Sequence, residues 1–188
     1  MSTDIAVLHE LGPFAELALG TSERRDLRSD HAGETGAVAI YRGLLAVTRD
    51  PVLIDFAEHH LDTELTHLAF FERWLPQAEH SRLLPLWRLS GWLLGALPAV
   101  FGRRWVFATI AAVETFVVEH YQDQLDRFPR DSAQQRLLLA QLAEFQADEA
   151  EHQHDAEQRY AEAPLPLRLW QRLVDAGSRS AVHAARWL

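Results

Sequence analysis

LDTELTH at residues 61–67 and DEAEHQH at residues 148–154 both place a glutamate three positions before a histidine. On an α-helix, side chains three residues apart lie on one face, about 5–6 Å from each other, so a single ion can contact both. Two helices with this spacing are typical of metal sites in helical bundles. The sequence therefore predicts such a site around Glu64 and His67 on one helix and Glu149 and His152 on another. Glu151 and His154 repeat the spacing, and we interpret them as a solvated pair.

Outward from these motifs, apolar residues recur at spacings of three and four, and no alternation of period two persists, which predicts an all-α fold. After a loose start to about residue 26, helices are expected at 29–49 and 51–75, with Asp50-Pro51 as a helix start. An apolar stretch at 83–101, broken by Pro85 and Pro98, separates this pair from a second pair. The second pair is expected at 103–127 and, capped by Asp131, up to about Ala161, followed by an amphipathic segment at 167–188.

Two isolated glutamates strengthen the metal interpretation. Glu114 is the only charged residue between Arg104 and Glu119, and burying a carboxylate in such a run is costly unless a cation or a set of donors meets it. Glu34 stands among small and apolar residues. The alternatives are a solvent-facing helix edge for Glu114 and a first-turn glutamate that favours the helix dipole for Glu34.

Distances along the helices test whether the four positions meet. Glu34 precedes the first turn by about as many residues as separate that turn from Glu64, which puts both at roughly 20–22 Å from it at 1.5 Å per residue. In the second pair, Glu114 and Glu149 differ in level by about one helical turn, which the uncertain helix ends accommodate. The agreement favours a shared site.

Composition narrows the function classes. The 188 residues contain 27 acidic and 18 basic residues and no cysteine, which argues against nucleic-acid binding and excludes thiolate metal sites.

The first 19 residues lack a basic region, which argues against an export signal or a transit peptide. The longest uncharged run, 89–102, has 14 residues and is short of the roughly 20 that span a bilayer. Because no Gly-x-Gly-x-x-Gly motif is present, we expect no dinucleotide-binding domain.

Residues 30–37, DHAGETGA, together with Tyr41, resemble the demethoxyubiquinone hydroxylase family of ubiquinone biosynthesis. Val113-Glu114 with His120-Tyr121, the run at 148–152 and the tail at 175–188 share the resemblance, which covers about 27–188. It implies one ferritin-like four-helix bundle at 27–188 with an additional apolar helical connector and a C-terminal amphipathic helix. Residues 1–26 are then an N-terminal extension.

The resemblance also implies a ligand set for two Fe²⁺ ions, with Mn as the alternative metal. Glu34, Glu64 and His67 would serve one half of the site and Glu114, Glu149 and His152 the other, with Glu64 and Glu149 as bridges. Four carboxylates offset the charge of two divalent ions. Because a ligating imidazole needs an acceptor for its other nitrogen, we expect Asp148 to contact His67; a plain surface aspartate is the alternative.

The implied activity is that of an O₂-dependent di-iron monooxygenase that hydroxylates a polyprenylated demethoxy-benzoquinone, with electrons from NADH or from a partner reductase. The candidates for substrate binding are Gly33, Gly36 and Ala37, because these small residues leave room for a flat quinone ring. Close helix packing is the alternative role. The resemblance also implies that His120 and Tyr121 lie near the path of electron transfer. The alternative is that Tyr121 is a core tyrosine with a satisfied hydroxyl.

The insoluble tail of such a substrate gives the apolar connector a role in the membrane interface, flanked by Arg82, Arg88, Arg103 and Arg104. A buried connector is the alternative. We expect a monotopic protein on the cytoplasmic face of a bacterial inner membrane, or an organelle homologue, together with other ubiquinone-biosynthesis proteins or a second copy as partners.

Two other function classes fit the same motifs. A ferritin-like iron-oxidising or peroxide-scavenging protein would use the same ligands without an organic substrate, and it would have a polar connector. A non-enzymatic quinone-binding membrane scaffold would hold its carboxylates free of metal.

Overall fold

The computed structural model describes residues 3–160 and 163–188, and within them the chain is helical and contains no strand. The all-α prediction is confirmed. The helices are α1 (Thr3–Leu11), α2 (Thr21–Val47), α3 (Pro51–Trp74), α4 (Leu84–Phe101), α5 (Arg103–Arg127), α6 (Ala133–Gln158) and α7 (Leu165–Trp187). Short 3-10 helices lie at Phe14–Leu17 and Gln77–Glu79.

Helices α2, α3, α5 and α6 form a four-helix bundle of two antiparallel pairs, α2 with α3 and α5 with α6. The turn between α2 and α3 has three residues, and Asp50 caps α3 by accepting a hydrogen bond from the backbone of Val52 at 3.0 Å. Asp50 also pairs with Arg103 at the start of α5. The cap of α6 is Ser132, not Asp131 as predicted, because Ser132 and Gln135 satisfy each other's backbone N–H groups in a capping box. The predicted end of this helix, Ala161, lies outside the described residues.

The expected loose start is not found in residues 3–26. Helix α1 and the 3-10 helix that follows it place Leu11, Phe14 and Leu17 in the core, where the ring of Phe14 meets that of Trp74 at 5.2 Å between centroids. Helix α2 begins at Thr21, eight residues before the predicted start. The expected boundary at 26/27 therefore lies inside a helix, and the division into extension and domain remains a prediction.

The connector α4 is one continuous helix, so the predicted breaks at its prolines are wrong. Pro85 lies in the first turn, where no N–H is required, and the helix continues through Pro98 for three further residues. Helix α4 runs parallel to α2 at very short range. A Cβ on Gly91 would lie 2.5 Å from the carbonyl oxygen of Gly36, and one on Gly95 would collide with the carbonyl of Ile40. Glycine is thus what allows the two backbones to touch.

The outer face of α4 is exposed, which contradicts the alternative of a buried connector. More than half of each of five large apolar side chains is accessible: Leu86, Leu89, Leu97, Val100 and Phe101. Among the described residues, α4 is also the one helix that is long and apolar enough to cross a membrane by length and composition, at 18 residues with 22% of them buried. Helix α4 includes Arg88 and has 18 residues. It is therefore longer than the 14-residue uncharged run at 89–102, which the sequence analysis judged too short to span a bilayer.

Two apolar clusters fill the bundle, one toward each end. The first contains Leu27 of α2, Phe70 of α3 and Phe145 of α6. The second contains Tyr41 of α2 and Phe56 of α3. On each of the four bundle helices the predicted ligands lie between residues of the first cluster and residues of the second. The predicted ligands are therefore near the middle of the bundle.

Candidate metal centre

The structure brings all six sequence-predicted ligands together in the middle of the bundle. They form two overlapping groups, and within each group one potential ligand atom per residue lies within 4.8 Å of all the others. The first group is Glu34, Glu64, His67 and Glu149; the second is Glu64, Glu114, Glu149 and His152. Glu64 and Glu149 belong to both groups, which is the arrangement expected of bridging carboxylates. All six side chains are buried.

Each histidine turns its Nδ1 toward the carboxylates. His67 Nδ1 lies 3.1 Å from Glu149 Oε1 and 3.6 Å from Glu34 Oε2. His152 Nδ1 lies 3.2 Å from both Glu64 Oε1 and Glu149 Oε2. The glutamate-to-histidine spacing on α3 and α6 thus places each imidazole against a carboxylate of the other helix.

Several of these buried atoms lack a hydrogen-bond partner. Both oxygens of Glu64, Oε2 of Glu149 and Nδ1 of His152 are enclosed and unsatisfied, since the contacts of His152 are short enough for ion pairs but lack hydrogen-bond geometry. Leaving buried polar atoms without partners is costly, and carboxylate oxygens with imidazole nitrogens are the donors that Fe, Mn and Zn accept. The donor set therefore fits a metal site.

The crowding of carboxylates perturbs their protonation. Burial, and next the charge of Glu149, raise the pKa of Glu64 to about 8. The same two causes hold the pKa of Glu114 well above its ordinary value. Burial lowers the pKa of His152, but its contacts with Glu149 and Glu64 outweigh this and raise it to about 11. Burial also raises the pKa of Glu149, yet its close contacts with His152 and His67 outweigh this and lower it to about 2. In the absence of a metal cation, bound protons must therefore offset the negative charge of the clustered carboxylates.

The contact that the sequence predicts for Asp148 is present. Its Oδ2 lies 3.0 Å from Nε2 of His67, which leaves Nδ1 of that ring facing the cluster. The Asp148 side chain is 47% exposed, so it is a surface aspartate as well as a partner of His67. An acceptor on the outer nitrogen fixes the tautomer and the orientation of a ligating imidazole.

Tyr121 and His120 lie beside the cluster on α5. The Tyr121 hydroxyl donates to Glu34 Oε1 at 2.6 Å. Nε2 of His120 lies 2.9 Å from Oδ1 of Asp30, which also accepts a hydrogen bond from Gln124 at 2.7 Å. Sequence reasoning missed Gln124; its position one turn after His120 was the available indication. Tyr121 thus contacts Glu34 directly, and the polar network of Asp30, His120 and Gln124 lies beside this pair on the same two helices.

A second polar contact that the sequence analysis missed borders the other histidine. The ring of buried His60 packs against that of His152 at 4.3 Å between centroids, and its Nε2 lies 3.0 Å from Asp155. Tyr41 packs nearby with a buried hydroxyl that lacks a partner. The spacing of Asp155 from His152, three residues along α6, was the only sequence indication. Glu151 and His154, by contrast, are exposed as predicted.

An apolar cavity of about 300 Å³ reaches the cluster from the side on which α2, α4, α5 and α7 meet. The predicted small residues Gly33, Gly36 and Ala37 line it, and so do Glu34, Glu114 and Glu149. Trp87 of α4 and Trp170 of α7 form part of the wall, and neither was predicted, because tryptophans in amphipathic helices carry no pattern that distinguishes a cavity wall from a core. Gly36 also provides close packing, since a Cβ there would lie 2.9 Å from the Trp87 ring.

The cavity opens between the exposed apolar faces of two helices. Leu173 of α7 lines it and is 64% exposed. Leu165 and Leu169 continue the apolar stripe of α7 at intervals of four residues, beside Arg168 and Arg172. On α4, Trp87, Ser90 and Leu94 line the cavity, and leucines beside them in the same helix, such as Leu86 and Leu89, are exposed. The ligand cluster is therefore connected to a surface that is apolar and bordered by arginine.

Comparison with known proteins gives concordant matches. Residues 22–185 match the family described as "Ubiquinone biosynthesis protein COQ7". The chain is 32% identical over 160 residues to the "NADPH-dependent 3-demethoxyubiquinone 3-hydroxylase, mitochondrial" of Dictyostelium discoideum, covering 84% of this chain and 74% of that protein. It is 32% identical to the "3-demethoxyubiquinol 3-hydroxylase" of Nitrosococcus oceani over 93% of this chain and 82% of that protein. The protein of the same name from Rhodospirillum rubrum is 39% identical over 68% of this chain and 60% of its own length.

Proposed function

This chain belongs to the ubiquinone biosynthesis protein COQ7 family, and we propose that it hydroxylates the ring of a polyprenylated demethoxyubiquinone in ubiquinone biosynthesis. The reaction consumes O₂ and an external reductant. The relatives' names give the reaction class, since they denote 3-hydroxylases of demethoxyubiquinone or its quinol. The site gives the chemistry, because a carboxylate- and imidazole-rich cluster beside an apolar cavity suits oxygen insertion into an apolar ring.

We propose two iron ions as the cofactor. Glu34 and His67 would hold one, Glu114 and His152 the other, and Glu64 and Glu149 would bridge them. A reduced iron pair supplies activation of O₂. The protein's part is to keep the pair dry, and to orient His67 through Asp148 and Glu34 through Tyr121.

The cavity is the proposed quinone site. A flat ring needs room next to the ligands, and Gly33, Gly36 and Ala37 provide walls without bulky side chains. The apolar walls of α4 and α7 would take the first isoprene units and exclude water. An iron-oxidising or peroxide-scavenging protein has no use for such a cavity, so the cavity favours the hydroxylase over that alternative.

We propose that α4 and α7 bind the membrane surface, with the protein monotopic and facing the cytoplasm of a bacterial inner membrane or the matching face in an organelle. Both helices that line the cavity carry exposed leucines, Leu173 of α7 lines it directly, and arginines beside these leucines suit anionic headgroups. A polyprenyl tail would then pass from bilayer to cavity without crossing water. Other enzymes of the pathway, or a second copy, are the proposed protein partners.

Electrons are proposed to come from NADH, from NADPH as in the names of several relatives, or from a partner reductase. His120 and Tyr121 are the proposed route, since Tyr121 contacts Glu34 directly and His120 contacts the polar network beyond it. Both residues also line the quinone cavity.

One observation carries the proposal: buried carboxylates of the ligand cluster form part of the wall of an apolar cavity that opens between α4 and α7. The test is quinone analysis in cells that lack their own demethoxyubiquinone hydroxylase. Supplying this chain should convert the accumulated demethoxyubiquinone to ubiquinone, Glu114→Gln should not, and the matched surface variant Glu151→Gln should. Persistence of demethoxyubiquinone despite folded, metal-loaded protein would refute the hydroxylase.

The membrane proposal has its own test by flotation with vesicles of phosphatidylethanolamine and phosphatidylglycerol. Leu89→Glu removes an exposed leucine from α4 and adds a charge, which should weaken vesicle binding at least tenfold. Leu65→Glu makes the same change on α3, away from the cavity mouth, and should bind as the parent protein does. Equal flotation of both variants would exclude α4 from the membrane contact.

A further inference from the structure

The metal centre has a second opening, opposite in character to the apolar cavity. A cleft of about 260 Å³ lies between α3 and α6. Three carboxylates and no lysine or arginine line it, and the lining residues are Asp62, Thr63, Thr66, His67, Gln141, Glu144, Phe145 and Asp148. Asp62 and Glu144 are exposed. The cleft is therefore open to water and negatively charged.

The imidazole of His67, itself a proposed ligand, separates the cleft from the buried carboxylates. Asp148 is half exposed and contacts Nε2 of His67, and Nδ1 of the same ring lies 3.1 Å from Glu149 Oε1. The other oxygen of Glu149, Oε2, is buried and has no hydrogen-bond partner, as are both oxygens of Glu64. Unsatisfied carboxyl oxygens thus lie behind the histidine that closes the inner end of the cleft.

We propose that this acidic cleft is the route by which divalent cations reach the metal centre, with Asp148 as the carboxylate that receives the ion before His67 and Glu149. The inference rests on the proposed metal centre. Carboxylate oxygens are ligands that divalent transition metals accept, and a cleft lined by one sign of charge raises the local concentration of the opposite ion. Rotation of the His67 ring away from Asp148 would open the last step.

The apolar cavity is a poor route for the same ion. Its surface is mostly apolar, and outside the cluster Asp30 is the one carboxylate among the described residues of its lining, so a cation would find little to replace its water there. The cavity is also where the proposed quinone binds. Separate openings would let the protein take up metal on a polar side and substrate on an apolar one.

The test measures uptake of Co²⁺ by the metal-free full-length protein in a stopped-flow spectrometer, through the absorption of the bound ion. The Asp62→Asn/Glu144→Gln variant removes two charges from the cleft without altering a proposed ligand or its partner. The control, Glu72→Gln/Asp123→Asn, removes the same two kinds of exposed charge outside the cleft. Final Co²⁺ content is measured for each protein after equilibration.

We expect the cleft variant to load about three- to tenfold more slowly than the control at low ionic strength, with the difference shrinking in 0.5 M salt. All proteins should reach the same final Co²⁺ content. Equal loading rates for the cleft variant and the control at every salt concentration would overturn the route while leaving the metal centre intact. If none of the proteins binds Co²⁺ at equilibrium, the metal centre itself is refuted and the route with it.

Discussion

The hydroxyl of Tyr121 donates a hydrogen bond of 2.6 Å to Oε1 of Glu34, and both side chains are buried. The bond satisfies one oxygen of the carboxylate, so that the other, Oε2, faces His67 at 3.6 Å. A single phenol thus orients a proposed ligand from a neighbouring helix.

Tyr121→Phe removes this donor and keeps the ring. Partners of metal ligands typically contribute 10- to 100-fold to metal affinity or activity, so we expect hydroxylation to fall by about that factor while the helical content stays the same. Tyr160→Phe is the matched control, because its hydroxyl contacts Gln171, outside the cluster. Turnover and metal titration on both variants check the prediction, and equal activity of the two would mean that the bond does not position Glu34.

The protonation of the cluster makes the metal-free protein sensitive to pH. The pKa of Glu64, raised by burial to about 8, exceeds its ordinary 4.5, so the folded state binds an extra proton and loses stability as the pH rises through this window. His152 has a pKa raised to about 11 against an ordinary 6.5; its contribution is complete below pH 6.5 and is lost above it. Between pH 6.5 and 8, a rise in pH therefore lowers the free energy of unfolding through both groups.

We therefore expect the free energy of unfolding of the metal-free protein to fall by a few kcal/mol between pH 6.5 and 8. Saturating divalent metal replaces these protons, so the loaded protein should show a much flatter dependence. Urea unfolding at the two pH values, with and without metal, measures both slopes. Parallel slopes would show that metal does not bind at these groups.

Much of the fold follows from local patterns that the sequence displays. Asp50-Pro51 begins a helix because the carboxylate caps and the proline needs no donor, and the predicted limits of α5 agree with the structure. The ligand positions follow from helical spacing and from the equal distances of Glu34 and Glu64 from their common turn. These features depend only on rise per residue and on burial of charge.

What could not be predicted depends on tertiary contacts. The helical conformation of α4 past Pro98 is favoured by its packing along α2, where Gly91 and Gly95 let the backbones touch, and a glycine pattern does not identify its partner helix. Likewise, His60 contacts Asp155 across 95 positions of the chain. The cavity walls, Trp87 and Trp170, come from two helices whose relative placement no periodicity determines.

The contact between α2 and α4 gives a stability prediction. In Gly95→Ala the new methyl group would collide with the carbonyl of Ile40, a backbone atom that can give way only if the two helices move apart. We expect a loss of about 1–3 kcal/mol, as for overpacked cores. Gly177→Ala is the control in α7, where a Cβ meets nothing within 4 Å and improved helix propensity should make the change neutral or stabilising. Thermal unfolding of both variants measures the change in stability. An unchanged melting temperature for Gly95→Ala would contradict the close packing of α2 and α4.

The two overlapping groups of proposed ligands predict that two metal ions bind and that they can be removed one at a time. Glu114 belongs only to the second group, while Glu34, Glu64, His67 and Glu149 remain to hold an ion without it. Glu114→Gln keeps the size of the side chain and removes the anionic oxygen, so we expect metal content to fall from two ions per chain to about one and hydroxylation to be abolished. Glu34→Gln should empty the other position. Elemental analysis after metal-replete purification measures the content, with Glu151→Gln as the exposed control on α6. Two tightly bound ions in Glu114→Gln would remove Glu114 from the ligand set, because a neutral amide in so crowded a group cannot balance a second divalent charge.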